Sequence, residues 1–270
     1  MYLIRKFENT TFVISRIAKS NQNLLTNSNT FIYGRNPVQE KLQQEPEKIE
    51  KIYLREGLKG SFVSDIYSLA SQNRIPVVQV PGRKLLELIG RVNDQGIVAS
   101  IAPISYSEFE EWLDEITPDP SVSILLLDEI EDPHNFGAIL RTAAASGFSA
   151  VLVPKHRQAP VNAVVYKTSA GTAGRIPIVR VGNLNMAIRE LKEKGFWIAG
   201  LDQNGDKKLW DQTFDVPMAF VIGNEGHGMR QKTGELCDFL LSIPMSNDVE
   251  SLNASVSAAL VCYEWRRQQK

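Results

Sequence analysis

From Val122 onward, apolar runs of strand length alternate with amphipathic stretches of helix length, and that alternation leaves few folds open. The runs lie at 123–127, 150–154, 176–181, 196–201, 218–223 and 239–244. Helical segments at 136–146, 162–170, 184–194 and 251–267 separate most of them. In the first helix Phe136, Ile139, Leu140, Ala143 and Gly147 share a face, as Leu252, Val256, Ala259, Leu260 and Tyr263 do in the last. Strands apolar on both faces need helices on both sides, which is the arrangement of a parallel α/β sheet. Such sheets bind ligands beyond the carboxyl ends of their strands, so the loops there should hold the site.

Residues 30–102 form a smaller α/β pattern of their own. A helix follows Asn36, with Pro37 suited to its first position. A strand at 51–54 comes next, then a helix through Phe62, Ile66 and Leu69, a strand at 76–80, a helix at 83–90 and a strand at 96–101. Residues 103–121, with Pro103, Pro118, Pro120 and many acids, read as an acidic linker with at least one helical turn, leaving 122–270 as the larger domain. Residues 1–29 are rich in Asn, Ser and Thr and carry Arg5, Lys6, Arg16 and Lys19 against Glu8. They read as a flexible tail or a start assigned too early, with an organelle-targeting extension as the alternative.

Charge and cysteine usage narrow the function classes. The net charge is −1, but residues 104–132 hold ten acidic residues and no Lys or Arg. Elsewhere 30 basic residues meet 21 acidic ones, a surplus compatible with an RNA partner. No apolar run approaches the roughly 18 residues of a membrane span. Cys237 and Cys262, without CxxC spacing, read as reduced buried thiols of a cytoplasmic protein. His134, His156 and His227 are scattered, so no metal site is expected, and no P-loop pattern occurs.

Three post-strand loops carry the polar chemistry. The first, 128–137, enters a helix bearing Arg141 and Thr142, and Asn135 is placed either to cap that helix or to serve a site. The second, 223–228, spaces its glycines as G-x-x-G-x-G, which suits close backbone approach or positive φ. The third, 243–255, runs from a strand end to a helix N-terminus, where unpaired N–H groups favour an anion. Ser251 could cap that helix, and Asn253 and Ser255 exceed what a cap requires.

Together these loops resemble the signature motifs of the SpoU branch of SPOUT RNA ribose 2′-O-methyltransferases. The first is Asn-x-Gly-x-x-x-Arg-Thr, here Asn135, Gly137, Arg141 and Thr142. The second is Gly-x-Glu-Gly-x-Gly, here Gly223, Glu225, Gly226 and Gly228. The third is Ile243-Pro244-Met245 followed by Ser251, Leu252, Asn253 and Ser255. Lys167-Thr-Ser-Ala-Gly171 resembles a further family segment, and residues 31–102, with Tyr33-Gly34 and Gln95–Ala99, resemble the small RNA-binding domain of ribosomal-RNA members. Asn247 stands where many relatives have glycine, and Asp94 where histidine is common.

The resemblance implies a C-terminal parallel-sheet domain with a trefoil knot and a small N-terminal RNA-binding domain. It implies S-adenosyl-L-methionine as cofactor, held by Gly223, Gly226, Ile243, Met245, Leu252 and Asn253, with no metal. It implies a catalytic set of Arg141, Asn135, Glu225, Asn253 and Ser255, with Arg141 either removing the ribose proton or stabilising the alkoxide. A guanidinium is effectively always protonated, which favours the second role. It further implies a homodimer acting on ribosomal RNA, on a guanosine of the large subunit. A transfer-RNA ribose methyltransferase, a non-catalytic RNA-binding assembly factor and a nicotinamide-dependent oxidoreductase are the competing readings. The last would want G-x-G-x-x-G after its first strand, where Asp132-Pro133-His134-Asn135 stands.

Overall fold

The computed structural model describes residues 30–102, 105–246 and 251–269. The tail 1–29 and Asn247 lie outside the described residues. The chain divides between residues 103 and 104 into two compact units.

The first unit carries strands β1 (Thr30–Tyr33), β2 (Ile49–Arg55), β3 (Val77–Val80) and β4 (Ile97–Ile101), with helices α1 (Arg35–Gln44), α2 (Ser61–Gln72) and α3 (Gly82–Ile89). Its sheet order is β1-β4-β2-β3, antiparallel except for the β2–β3 pair. Ile52, Leu54, Val38, Leu42, Ile66 and Leu85 are buried between sheet and helices. Helix α1 starts two residues earlier than Pro37 suggests. Gly34, at φ +93, makes the turn, and Pro37 is tolerated as the third helical residue because N–H groups there have no intrahelical acceptor.

The second unit carries strands β5 (Ser107–Glu108), β6 (Ser123–Leu127), β7 (Ala150–Pro154), β8 (Ile178–Val181), β9 (Trp197–Leu201), β10 (Lys207–Lys208), β11 (Met218–Ile222) and β12 (Phe239–Ser242). Its helices are α4 (Phe109–Glu115), α5 (Pro133–Ser146), α6 (Ala163–Thr168), α7 (Leu184–Lys194), α8 (Gln231–Gly234) and α9 (Ala254–Gln268). The sheet runs β10-β12-β9-β11-β6-β7-β8-β5 with every pair parallel. All five residues of β6 are buried, and they divide by parity. Leu125 and Leu127 join the α5 and α9 side with Phe136, Leu140 and Trp265; Ile124 and Leu126 join the α7 side with Ile188 and Leu191. Covering both faces is why these strands are apolar throughout.

The acidic linker reading of 103–121 needs correction. Residues 107–115 form β5, which pairs with β8, and α4, whose Phe109 is buried in the α7-side core while Trp112 and Leu113 pack against it. The acids mark the solvent face of a docked amphipathic helix. Tyr106 fastens the approach: its hydroxyl accepts from Val161 N at 3.0 Å and the Arg180 guanidinium lies 3.8 Å over its ring.

Two helix starts also differ from expectation. Asp132, not Asn135, caps α5, accepting from His134 N at 3.0 Å ahead of Pro133. Asn253, not Ser251, caps α9, accepting from Ser255 N and Val256 N. Both shifts release or redirect the asparagine amides for other partners.

Candidate active site

The loops after β9, β11 and β12 enclose a cavity of about 440 Å³ beyond the carboxyl ends of the strands. Its apolar wall comes from Ile222, Leu241, Ile243, Met245 and Leu252, and its polar rim from Asn204, Glu225, His227 and Ser251. The volume and mixed lining fit a small-molecule site.

The 223–228 loop is folded on itself. Asn224 and Gly228 exchange both backbone hydrogen bonds, at 3.0 and 2.9 Å. Gly223 has no room for a side chain, since a Cβ would lie 2.3 Å from Met229 N. Gly228 sits at φ +69. Two of the loop's glycines are therefore explained by closure of the loop itself. The third, Gly226, faces the cavity at a normal φ, and its N–H donates to Asn224 Oδ1 at 2.8 Å.

Three sequence motifs meet at one amide. Asn253 Nδ2 donates to Asn135 Oδ1 at 3.0 Å and to Glu225 Oε1, whose carboxylate also accepts from Ala254 N at 3.3 Å. Asn253 Oδ1 meanwhile caps α9 and accepts from Ser255 Oγ at 2.6 Å. Of the residues expected to hold a cofactor, Gly223, Gly226, Ile243, Met245 and Leu252 line the cavity, as does Glu225. Asn135, Asn253 and Ser255 stand behind Glu225. Arg141 is outside this cluster. It lies on the exposed face of α5, six residues or about 9 Å along the axis from Asn135. Gly137 does packing work, because a Cβ there would lie 2.8 Å from Thr168 Cβ and from Val165 O.

Residues 123–263 match the SpoU rRNA methylase family, and residues 31–107 match the RNA 2′-O ribose methyltransferase substrate-binding domain. The chain belongs to the SpoU family of RNA methyltransferases. It is 39% identical over 239 residues to a TrmH-family tRNA/rRNA methyltransferase of Staphylococcus haemolyticus, covering 88% of this chain and 95% of that one. A Staphylococcus epidermidis relative is 40% identical over the same length, again with 88% and 95% coverage. Among solved structures, an AdoMet-bound rRNA methyltransferase from Sinorhizobium meliloti superposes with a TM-score of 0.75 at 21% identity, covering 93% of this chain and 91% of that one. An RNA 2′-O ribose methyltransferase superposes at 0.71 with 27% identity and 88% coverage of each chain.

In this SpoU methyltransferase the loop after β9 also belongs to the site, and sequence reasoning missed it. Asp202, Gln203 and Asn204 line the cavity. The available signal was Asn204-Gly205 directly after an apolar run. Asn204 N donates to Asp202 Oδ1 at 2.8 Å, and Gly205 lets the turn lie on β12, where a Cβ would sit 2.7 Å from Leu241 C. His227 also stands on the rim, a place that the wide sequence spacing of the three histidines does not reveal.

Proposed function

We propose that this methyltransferase moves the methyl group of S-adenosylmethionine to a ribose 2′-hydroxyl of large-subunit ribosomal RNA. The observation that carries the reading is the junction of Asn135, Glu225 and Asn253 beside the 440 Å³ cavity. The cavity suits S-adenosylmethionine: Ile222, Ile243 and Leu252 offer an apolar wall for an adenine, and Glu225 and Asp202 offer carboxylates for its cationic groups. Bound there, S-adenosylmethionine supplies a sulfonium methyl group open to in-line displacement by an oxygen.

The chain's own contribution is alignment and charge. Fixing the attacking hydroxyl in near-attack geometry contributes about 7–11 kcal/mol in favourable cases. Glu225 and Asn253 hold the start of α9 at the cavity wall, and Asn135 ties α5 to the same point. Arg141, exposed and permanently cationic, holds the RNA phosphate and stabilises the emerging alkoxide. The outer face of α9, where Val256 is 46% and Tyr263 55% exposed, supports a homodimer. A monomer mass in light scattering of active protein would exclude the dimer.

Ribosomal RNA is favoured by the first unit. A tRNA-modifying TrmH/SpoU enzyme of A. aeolicus superposes on only 60% of this chain, with a TM-score of 0.51, whereas the rRNA methyltransferase structure from S. meliloti covers 93% of it. A second RNA-gripping module raises effective concentration at one structured target. The test is transfer of labelled methyl groups to unmodified ribosomal and transfer RNA, with ribose-methylation mapping of the product. Label on bases, or on transfer RNA alone, would overturn the reading.

A further inference from the structure

The 223–228 loop is clipped at both ends to one dipeptide at the end of β6. At its entry, Asn224 Nδ2 donates to Glu129 O at 2.7 Å. At its exit, Arg230 N donates to Asp128 Oδ2 at 3.1 Å. The Arg230 guanidinium then spans both carboxylates, Nη2 lying 2.6 Å from Asp128 Oδ1 and Nη1 3.2 Å from Glu129 Oε1. The Asp128 contact is an ion pair approached off the hydrogen-bonding direction. Asp128 is fully buried and Glu129 nearly so, a placement that strongly disfavours carboxylates unless a cation meets them. Glu129 also holds φ +66, a conformation uncommon for residues other than glycine and asparagine. Arg157 and His227 approach the same Glu129 carboxylate at 3.4 and 3.9 Å.

We propose that Arg230 is a positioning residue for the methyl-donor site, locking the 223–228 loop onto Asp128 and Glu129 so that Glu225 is set before the donor arrives. The proposal rests on the reading that the cavity binds S-adenosylmethionine. None of Asp128, Glu129 and Arg230 lines the cavity, yet four consecutive loop residues between the clips do: Glu225, Gly226, His227 and Gly228. A loop held at one end only would populate other conformations, and binding would have to select the competent one. That lowers apparent affinity by the competent fraction and leaves the bound geometry intact.

Arg230→Lys tests this in the full chain. Lysine keeps the charge but has no planar fork to span two carboxylates. Titration with S-adenosylmethionine should show Kd weakened about tenfold and KM for the donor raised in parallel, with kcat at saturating donor within about threefold. RNA affinity without donor and the thermal midpoint should stay near those of the wild type. Donor Kd and KM within about twofold of the wild type would sink the proposal. Should Arg230→Lys fail to fold, Glu129→Gln decides by the same readout, since it keeps the Asp128 pair and weakens one arm. It should raise donor Kd about threefold, and an unchanged value overturns the proposal. A wild-type chain that does not bind S-adenosylmethionine would instead remove the functional reading on which this rests.

Discussion

Asn253 Nδ2 donates to Asn135 Oδ1 across 3.0 Å, joining residues 118 positions apart in the chain. The contact ties the start of the last helix to the first turn of α5, and the same amide reaches Glu225 on the glycine loop. A primary amide suits this place because it donates from one end while its carbonyl caps α9 from the other.

Asn253→Asp should separate those two tasks. The carboxylate keeps the acceptor for Ser255 N and Val256 N but loses the donor and faces Glu225 with like charge. Methyl transfer should fall about 100-fold, equivalent to about 2.7 kcal/mol, while the fold persists. Asn253→Ala should additionally lose the cap, about 1 kcal/mol of stability by denaturant titration. Unchanged turnover in Asn253→Asp would show that the amide junction is dispensable.

Arg141→Ala should nearly abolish turnover while donor affinity by calorimetry stays within a few-fold. Its exposed position away from the cavity wall predicts a stability change within about 0.5 kcal/mol. Loss of donor binding with an intact fold would reverse the assignment.

Leu252→Asp should act in the opposite sense. It places a carboxylate on the apolar cavity wall beside Ile243, a desolvation penalty of several kcal/mol for an unpaired charge. Donor binding should disappear from the titration, and retained micromolar binding would move the adenine elsewhere.

Acid should loosen the end of α9. Hydrogen bonds from Arg267 at 2.6 and 3.0 Å, opposed by burial and aided by Gln268, hold the Glu264 carboxyl below its usual range. A carboxyl lowered in the folded state contributes stability that is present above its unfolded pKa and lost as pH falls through the folded one. Gln268 links this pair to the core, accepting from Phe214 N at 2.8 Å and donating to Gln212 O at 2.9 Å. Glu264→Gln should therefore melt below the wild type at neutral pH, and the two should converge in acid. A constant difference across pH would exclude the mechanism.

The sequence by itself determined the order of the longer strands and helices of the larger unit, because β6, β7, β9 and β11 are apolar over nearly their whole length and α5 and α7 repeat at helical spacing; β5, β10 and α8 are too short to carry such a signal. It also marked Asn135 and Asn253 as polar residues in post-strand loops, where ligands of a parallel sheet bind, and Glu225 through the resemblance of its loop to a family motif. Tertiary structure alone decided what those side chains do. Capping is local, yet Asp132 and Asn253 took the two caps that the sequence reading offered to Asn135 and Ser251, and Asn135 instead accepts from a partner 118 residues away. The docking of α4 was hidden by its acids, whose exposed face outweighs Phe109 and Trp112 in composition. The clip on Asp128 and Glu129 was hidden for the same reason: a carboxylate reads as solvated surface until the cation that permits its burial, Arg230, is seen beside it.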